Sequence, residues 1–388
     1  MKVLWICGLP NIVRLNACDK VLSPTPTAAW SWILGHLPPP RGVELHIVCP
    51  VGGLCANHLD FEYSGAFWHC YKLKRFEICF LWYRFFLYIR PFVEEFKPDV
   101  IHGWGGETGY GRLATLISKD AIVSVQGLLA MLSRNLLTLK HARERINLRA
   151  RLARYCERKT YQRAKLLLVE SEASRRGLSE LYGGQGILVP HPLRREFLTA
   201  DLSVRHKMPK VPIKFVFVGS LIERKGAIDA VVAFTAISRQ DTKLVMIGEG
   251  EARHKIELLI LENGLKGRVV IKGAMTADKI VNEFNDAHFF VLPSYGDTGP
   301  TALKEALSCG LYPICYDNSG PQDLISHYGC GALVRTADVE GLAKAMEESV
   351  NNIEDCIHKG LRVAPKIREE LSHSNVWEKL LSIYKGCI

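Results

Sequence analysis

The sequence predicts an α/β protein of two domains, each a parallel, doubly wound, Rossmann-like sheet. Three observations carry that prediction. Apolar runs of buried-strand length alternate with helical segments in two series. A polar, proline-bearing stretch, His191 to Lys214, separates the series and reads as an interdomain linker. The length of 388 residues suits two ordinary domains, and 48% hydrophobic against 23% charged residues supplies two cores.

In the first series Lys2–Cys7 is a strand. A truncated signal peptide is the poorer account of this N-terminus, because Gly8 and Pro10 cut the apolar run. A helix over 27–37 stops at three prolines, and Val43–Val48 forms a second strand. The aromatic stretch from Cys79 to Phe96 is helical. A short strand at Pro98–His102 leads into a glycine-rich turn, Gly103 to Gly111, and further strands follow at Ala121–Val125 and Leu166–Val169. In the second series strands fall at Lys214–Val218, Lys243–Ile247, Val269–Ile271, Phe289–Leu292 and Tyr312–Tyr316. Helices are expected at Ala227–Ile237, Ala252–Leu261, Ala277–Phe284 and Val339–Val350, with an amphipathic helix near Val376–Tyr384. The domains expected are 1–195 and 205–368, with a last helix, 370–388, packing back on the first.

The twelve cysteines are scattered, form no CxxC, and make no His–Cys cluster with zinc spacing. Buried thiols in a reducing, cytoplasmic compartment are expected, and no metal site. No apolar run reaches transmembrane length. Net charge is +10, concentrated between Ser133 and Lys165. Read as a helix, that stretch groups Arg143, Arg151, Arg154, Arg158 and Lys165 on one face and Leu148, Leu152 and Tyr155 on another. It is either a solvated helix or a surface for anionic lipid headgroups at an inner membrane face or for a phosphate-bearing acceptor. Nothing resembles a base-reading nucleic-acid module.

Two strand–turn–helix junctions carry possible chemistry. In VFVGSLIERKG, Gly219, Ser220, Arg224 and Lys225 follow a buried strand, and a lysine there neutralises phosphate as a point charge. In FFVLPSYGDTGPTALKEALSCG, a tight turn with Asp297, Gly299 and Pro300 opens a helix at Thr301 and Ala302 that carries Glu305. Such a turn offers free backbone N–H groups to an anion, with Pro300 suited to the first helical position. Gly248-Glu249-Gly250 lacks the third glycine of a dinucleotide fingerprint and reads as a tight turn, which disfavours a dehydrogenase.

Together VFVGSLIERKG, LVMIGEGE, VVIKG and the Phe289–Ile325 stretch resemble the C-terminal half of retaining family 4 glycosyltransferases of the GT-B fold. PDVIHGWGGETGYG, VSVQG and RAKLLLVESEASRRGL extend the likeness to the first half, toward a bacterial branch that builds exopolysaccharide, O-antigen or capsule. The resemblance implies two Rossmann-like domains facing each other across a cleft. It also implies a UDP- or GDP-linked sugar donor and a saccharide or lipid-linked saccharide acceptor. Its paired acids fall on Asp297, shorter than the usual glutamate and directed at the donor sugar, and on Glu305, directed at the ribose diol. Lys225 matches its phosphate-binding lysine. Ser220 stands where an arginine is usual, so Arg224 is the replacement expected. With no DxD in the chain, leaving-group stabilisation by Lys225 and the helix start, without metal, is implied.

On the acceptor side Glu107 is expected to contact the acceptor or act as base. Trp104 replaces a usual histidine, and Gln126 and Gly127 face substrate from a strand end. His102 reads as a core histidine. A nucleotide-sugar epimerase of the same fold and a catalytically silent saccharide-binding scaffold are the alternatives, the latter favoured by Ser220, Trp104 and Asp297.

Overall fold

The computed structural model describes residues 1–8, 14–15, 21–22, 38–52, 54, 56–74, 80–106, 109–128, 148–206 and 211–387. The expected helix over 27–37, Glu107 and the basic residues before Leu148 lie outside these. Contacts divide the chain into two compact units, Met1–Pro192 with His373–Ile388, and Leu193–Ser372.

The first unit holds β1 (Lys2–Ile6), β2 (Arg14–Leu15), β3 (Val21–Leu22), β4 (Glu44–Val51), β5 (His58–Tyr63), β6 (Ala66–Lys72), β7 (Val100–Trp104), β8 (Ile122–Val125), β9 (Leu166–Val169) and β10 (Gly186–Leu188). Eight of them form one sheet in the order β10-β9-β8-β7-β1-β4-β6-β5. The central strands β7 and β8 are buried along their whole length, as continuous apolar runs between two helical layers require. The sheet departs from the all-parallel expectation at one edge, where β5 runs antiparallel to β6. Ser64 and Gly65 cause this: both have positive φ (53° and 73°), the two-residue turn that folds a hairpin.

Four helices of this unit are α1 (Tyr83–Phe96), α2 (Tyr110–Ile117), α3 (Leu148–Arg163) and α4 (Glu172–Tyr182). No Cβ fits at Gly103, where one would meet the Gly111 Cα at 2.7 Å, so α2 lies close against β7. The basic helix α3 turns inward on Cys156, Glu157, Thr160 and Tyr161, while Leu152 is half-buried and Tyr155 is exposed. The buried Glu157 accepts a hydrogen bond from the Tyr182 hydroxyl, which lets a carboxylate occupy the inner face.

The second unit begins with a short helix, α5 (Arg195–Leu198), followed by β11 (Ile213–Val218), α6 (Ala227–Thr235), β12 (Thr242–Ile247), α7 (Arg253–Glu262), β13 (Val269–Gly273), α8 (Ala277–Asn285), β14 (Phe289–Leu292), α9 (Thr301–Ser308), β15 (Tyr312–Tyr316), α10 (Ser319–Tyr328), β16 (Ala332–Val334), α11 (Val339–Asn351) and α12 (Ile353–Glu370). All six strands are parallel, in the order β13-β12-β11-β14-β15-β16. Phe215, Phe217, Phe234 and Phe289 are fully buried in its core, at roughly 1.5–3 kcal/mol for each such side chain. The segment from Leu193 is not a free linker. Phe197 is fully buried and packs 5.9 Å from the Phe284 ring.

The last helix, α13 (His373–Lys385), belongs to the first unit. Trp377 stacks on Trp5 at 5.4 Å, and the Trp5 indole N–H donates to the Tyr384 hydroxyl at 3.0 Å. That hydroxyl lies 2.6 Å from His102 Nδ1, and Ser124 Oγ lies 2.8 Å from His102 Nε2. His102 is thus a satisfied core residue, its pKa lowered by burial to about 3.

Candidate functional site

Open parallel sheets bind ligands outside the carboxyl ends of their strands. In the second unit two loops meet there, after the neighbouring strands β11 and β14. Beyond Val218 the chain runs through Gly219 and the exposed Ser220 into a single turn at Glu223–Lys225, then Gly226 at φ 67°. A Cβ on Gly226 would stand 1.8 Å from the Pro293 carbonyl, so only glycine lets this turn lie against the end of β14.

That close approach brings the expected residues together. Arg224 Nη1 donates to the Gly296 carbonyl at 2.8 Å, and the Arg224 carbonyl accepts from the Tyr295 N–H at 2.9 Å. The Lys225 ammonium bonds the Asp297 carboxylate. Arg224 thus holds the loop through Nη1, and the half-buried Lys225 is paired with Asp297.

The same loop is pinned from behind by residues that sequence reasoning did not single out. Asn318 Oδ1 accepts from the Asp297 N–H at 3.2 Å, and the Asp297 carbonyl accepts from the Gly320 N–H at 2.9 Å. Asp229, on α6, accepts from the hydroxyls of Tyr295 at 2.8 Å and Tyr316 at 2.7 Å. Burial pushes its carboxyl above the ordinary value against the pull of those two donors. The Gly248–Gly250 turn serves packing. A Cβ at Gly248 or Gly250 would run into the carbonyls of Gly219 (1.9 Å) or Leu221 (2.3 Å).

Pro300 is the N-cap of α9, not its first helical residue, and Thr301 takes that position. The Pro300 carbonyl accepts from the N–H groups of Leu303 and Lys304, at 3.1 and 3.2 Å. The N–H groups of Thr301 and Ala302 have no acceptor among the described residues. A helix start of this kind favours an anion by about 0.3–1 kcal/mol at an exposed site. Gly299 and Pro300 thus lead directly into a helix start whose first two N–H groups, those of Thr301 and Ala302, are open.

Glu305 departs from expectation. It is 2% exposed, and both carboxylate oxygens are held by Arg194, Nε to Oε1 at 2.5 Å and Nη2 to Oε2 at 2.7 Å. In this arrangement it does not present open oxygens to a diol. Its burial raises the carboxyl pKa, with Arg194 opposing. Arg194 is 4% exposed, and its guanidinium also sits 4.5 Å over the Phe197 ring. Lys304 beside it is buried, with no hydrogen-bond partner for Nζ among the described residues.

In the first unit Trp104 ends β7, and Gln126 and Gly127 follow β8, its parallel neighbour. The Trp104 indole N–H and both amide atoms of Gln126 are buried without partners among the described residues, unlike most buried polar groups. The Gly127 carbonyl accepts from the Tyr161 hydroxyl at 3.3 Å. Beyond β9 a buried pair that was not foreseen adjoins them, His191 Nδ1 at 3.0 Å from Glu170 Oε2, with the His191 ring 6.4 Å from that of Trp104.

The two halves of the chain match two family profiles. Residues 34–192 match the profile described as "Glycosyl transferase 4-like domain", and residues 200–358 the one described as "Glycosyl transferases group 1". Among curated proteins, the amylovoran biosynthesis glycosyltransferase AmsK of Erwinia amylovora is 26% identical over 180 residues, covering 44% of each chain. The alpha-D-kanosaminyltransferase of Streptomyces kanamyceticus is 27% identical over 188 residues, 48% of each. The chain thus spans about half the length of the curated relatives it matches. Sucrose-phosphate synthase from Thermosynechococcus elongatus superposes with a TM-score of 0.78 at 15% identity, over 99% of this chain and 98% of that one. WaaG, a glycosyltransferase involved in lipopolysaccharide biosynthesis, gives 0.70 at 14% identity, over 99% and 100%. At such identities the likeness is one of fold. No helix among the described residues is long and apolar enough to cross a membrane.

Proposed function

We propose that this chain, which belongs to the GT-B glycosyltransferases, moves a glycosyl group from a nucleoside diphosphate sugar to a hydroxyl of a saccharide or lipid-linked saccharide, with retention, in surface polysaccharide synthesis. The observation that carries this reading is the pair of unpartnered N–H groups at Thr301 and Ala302, on the loop that holds Lys225 against Asp297. As the anomeric carbon–oxygen bond breaks, negative charge grows on the departing UDP or GDP, where an ammonium and a helix start stabilise it. Lys225 exchanges part of its bond to Asp297 for the diphosphate, leaving Asp297 to accept a sugar hydroxyl. With no DxD in the sequence, we assign this stabilisation to the chain's own groups and require no metal for it.

Trp104, Gln126, Gly127 and Glu107 are assigned to the acceptor. The buried polar atoms of Trp104 and Gln126 favour a hydroxyl-rich ligand. The exposed arginines of α3, Arg151, Arg158 and Arg163, are assigned to peripheral contact with an anionic bilayer on the cytoplasmic side. Co-sedimentation with phosphatidylglycerol vesicles at low salt checks that contact, and absence of binding refutes it.

Calorimetry with UDP and GDP tests the donor site. Binding by the wild type and its weakening in Lys225→Ala is expected. No binding of either nucleotide overturns the reading in favour of a silent scaffold. Turnover of a nucleotide sugar without any acceptor would instead make the protein an epimerase.

A further inference from the structure

The β5–β6 hairpin carries a side-chain cluster that sugar transfer does not use. Its two-residue turn pairs Tyr63 with Ala66, and therefore Asp60 with His69 directly across the strands. His58, two residues before Asp60, shares its face of the strand. His69 Nδ1 and His58 Nε2 converge on one oxygen, Asp60 Oδ1, at 2.6 and 2.7 Å. One ligand atom from each of the three residues lies within 4.8 Å of the others. Behind His69 stands a second row, with His46 Nδ1 2.8 Å from His69 Nε2 and Glu44 Oε1 3.3 Å from His46 Nε2.

The run Glu44–His46–His69–Asp60 makes three polar contacts and has a carboxylate at each end, but two neutral imidazoles bring only two N–H protons. With Glu44 and His46 as the acceptors in the first two contacts, His69 Nδ1 points a lone pair at the Asp60 carboxylate. In that tautomer the Asp60 oxygen and the His69 lone pair, 2.6 Å apart, are both available to ligate a cation.

We propose that His58, Asp60 and His69 form a binding site for a zinc-class divalent ion, outside the donor and acceptor sites. Two imidazole nitrogens and a carboxylate oxygen are the donor set zinc prefers when thiolates are absent, with a fourth position left to water. Tetrahedral zinc ligands stand about 3.3 Å apart, so the two nitrogens must each move back from Asp60 by about 0.6–0.7 Å to admit the ion, a side-chain rotation that the exposed His58 and Asp60 allow. The His46–Glu44 row supplies the outer hydrogen bonds that orient a metal-bound imidazole. His58 and Asp60 are 38% and 55% exposed, which leaves an entry path. The ion ties the edge strand β5 to β6, so it acts on the stability of the first unit and leaves nucleotide binding alone.

The test uses the full chain, stripped with EDTA and titrated with Zn²⁺ against a chromophoric chelator. It compares the wild type with His58→Ala/Asp60→Ala and with His254→Ala as a control for surface histidines. The expected result is one tight equivalent in the wild type and in the control, lost in the double variant. Zn²⁺ raises the thermal midpoint of the wild type and leaves that of the double variant unmoved. The exposure of both substituted side chains spares the fold, and an unchanged calorimetric response to UDP verifies it. Equal stoichiometry in wild type and double variant, a wild-type midpoint indifferent to Zn²⁺, or an equal response to Mg²⁺ overturns the proposal.

Discussion

The Arg194–Glu305 pair offers the sharpest test of how the second unit is held. Both groups are nearly out of water, at 4% and 2% exposure, and their two contacts of 2.5 and 2.7 Å are bidentate. Arg194→Met removes the cation and leaves a buried carboxylate unpaired, which costs about 3–5 kcal/mol. For a unit of this size each kcal/mol shifts the midpoint by roughly 2–4 °C, so its unfolding temperature falls by about 6–20 °C. Replacing both partners, as in Arg194→Met/Glu305→Leu, removes both desolvated charges and restores most of that loss. The assay follows from the sequence, because all seven tryptophans lie outside Leu193–Ser372. Tryptophan emission therefore reports on the first unit, and the calorimetric transition that emission does not follow belongs to the second. A single variant that loses under about 1 kcal/mol, or a double variant as unstable as the single, refutes the pairing as a stabilising contact. If Glu305 also accepts a ribose diol in the complex, the double variant regains stability without regaining UDP affinity.

Three further outcomes are expected. Lys225→Ala removes a charge-assisted bond to the diphosphate and weakens UDP binding by about tenfold or more, with the melting temperature little changed because the pair is partly exposed. Gly226→Ala forces a Cβ into the Pro293 carbonyl at a φ of 67° and destabilises the second unit by about 2 kcal/mol or more; urea unfolding measures this. His102 stays neutral in the folded state down to about pH 3, below its ordinary value of 6.5. It therefore contributes stability that is complete above pH 6.5 and lost as pH falls toward 3, at about 1.4 kcal/mol per pH unit. Stability of His102→Gln should fall less steeply between pH 6 and 4, and a slope equal to that of the wild type would show that the buried imidazole is not the cause.

The alternation of strands and helices was legible because parallel strands buried on both faces appear as unbroken apolar runs, as Phe289–Leu292 does. The β5 strand was not, since HLDFEY lies half-exposed at the sheet edge and its polar residues hide it. Lys225 and Asp297 were each marked by their own glycine turn, although 72 residues separate them. Arg194 carried no such mark. Its partner lies 111 residues away, and nothing local distinguishes it from Arg195 beside it. The inner face of α3 was not legible because Glu157 counts as polar by type, while its bond to Tyr182 depends on a residue of another helix. His58, Asp60 and His69 share a face only once the hairpin register is known, and a search for cysteine–histidine spacing passes over them.

The return of α13 to the first unit bears on the order in which the chain acquires its structure. The second unit is one uninterrupted stretch, Leu193–Ser372, set between the two pieces of the first. A chain emerging from the ribosome therefore has every residue of its second unit before it has Trp377 and Tyr384, which cover Trp5 and bond His102. Until then the first sheet exposes an indole and an imidazole that the finished protein buries completely. Removal of α13 would thus act at a distance of more than 370 residues along the chain, on β1, while Leu193–Ser372 retains all of its own core.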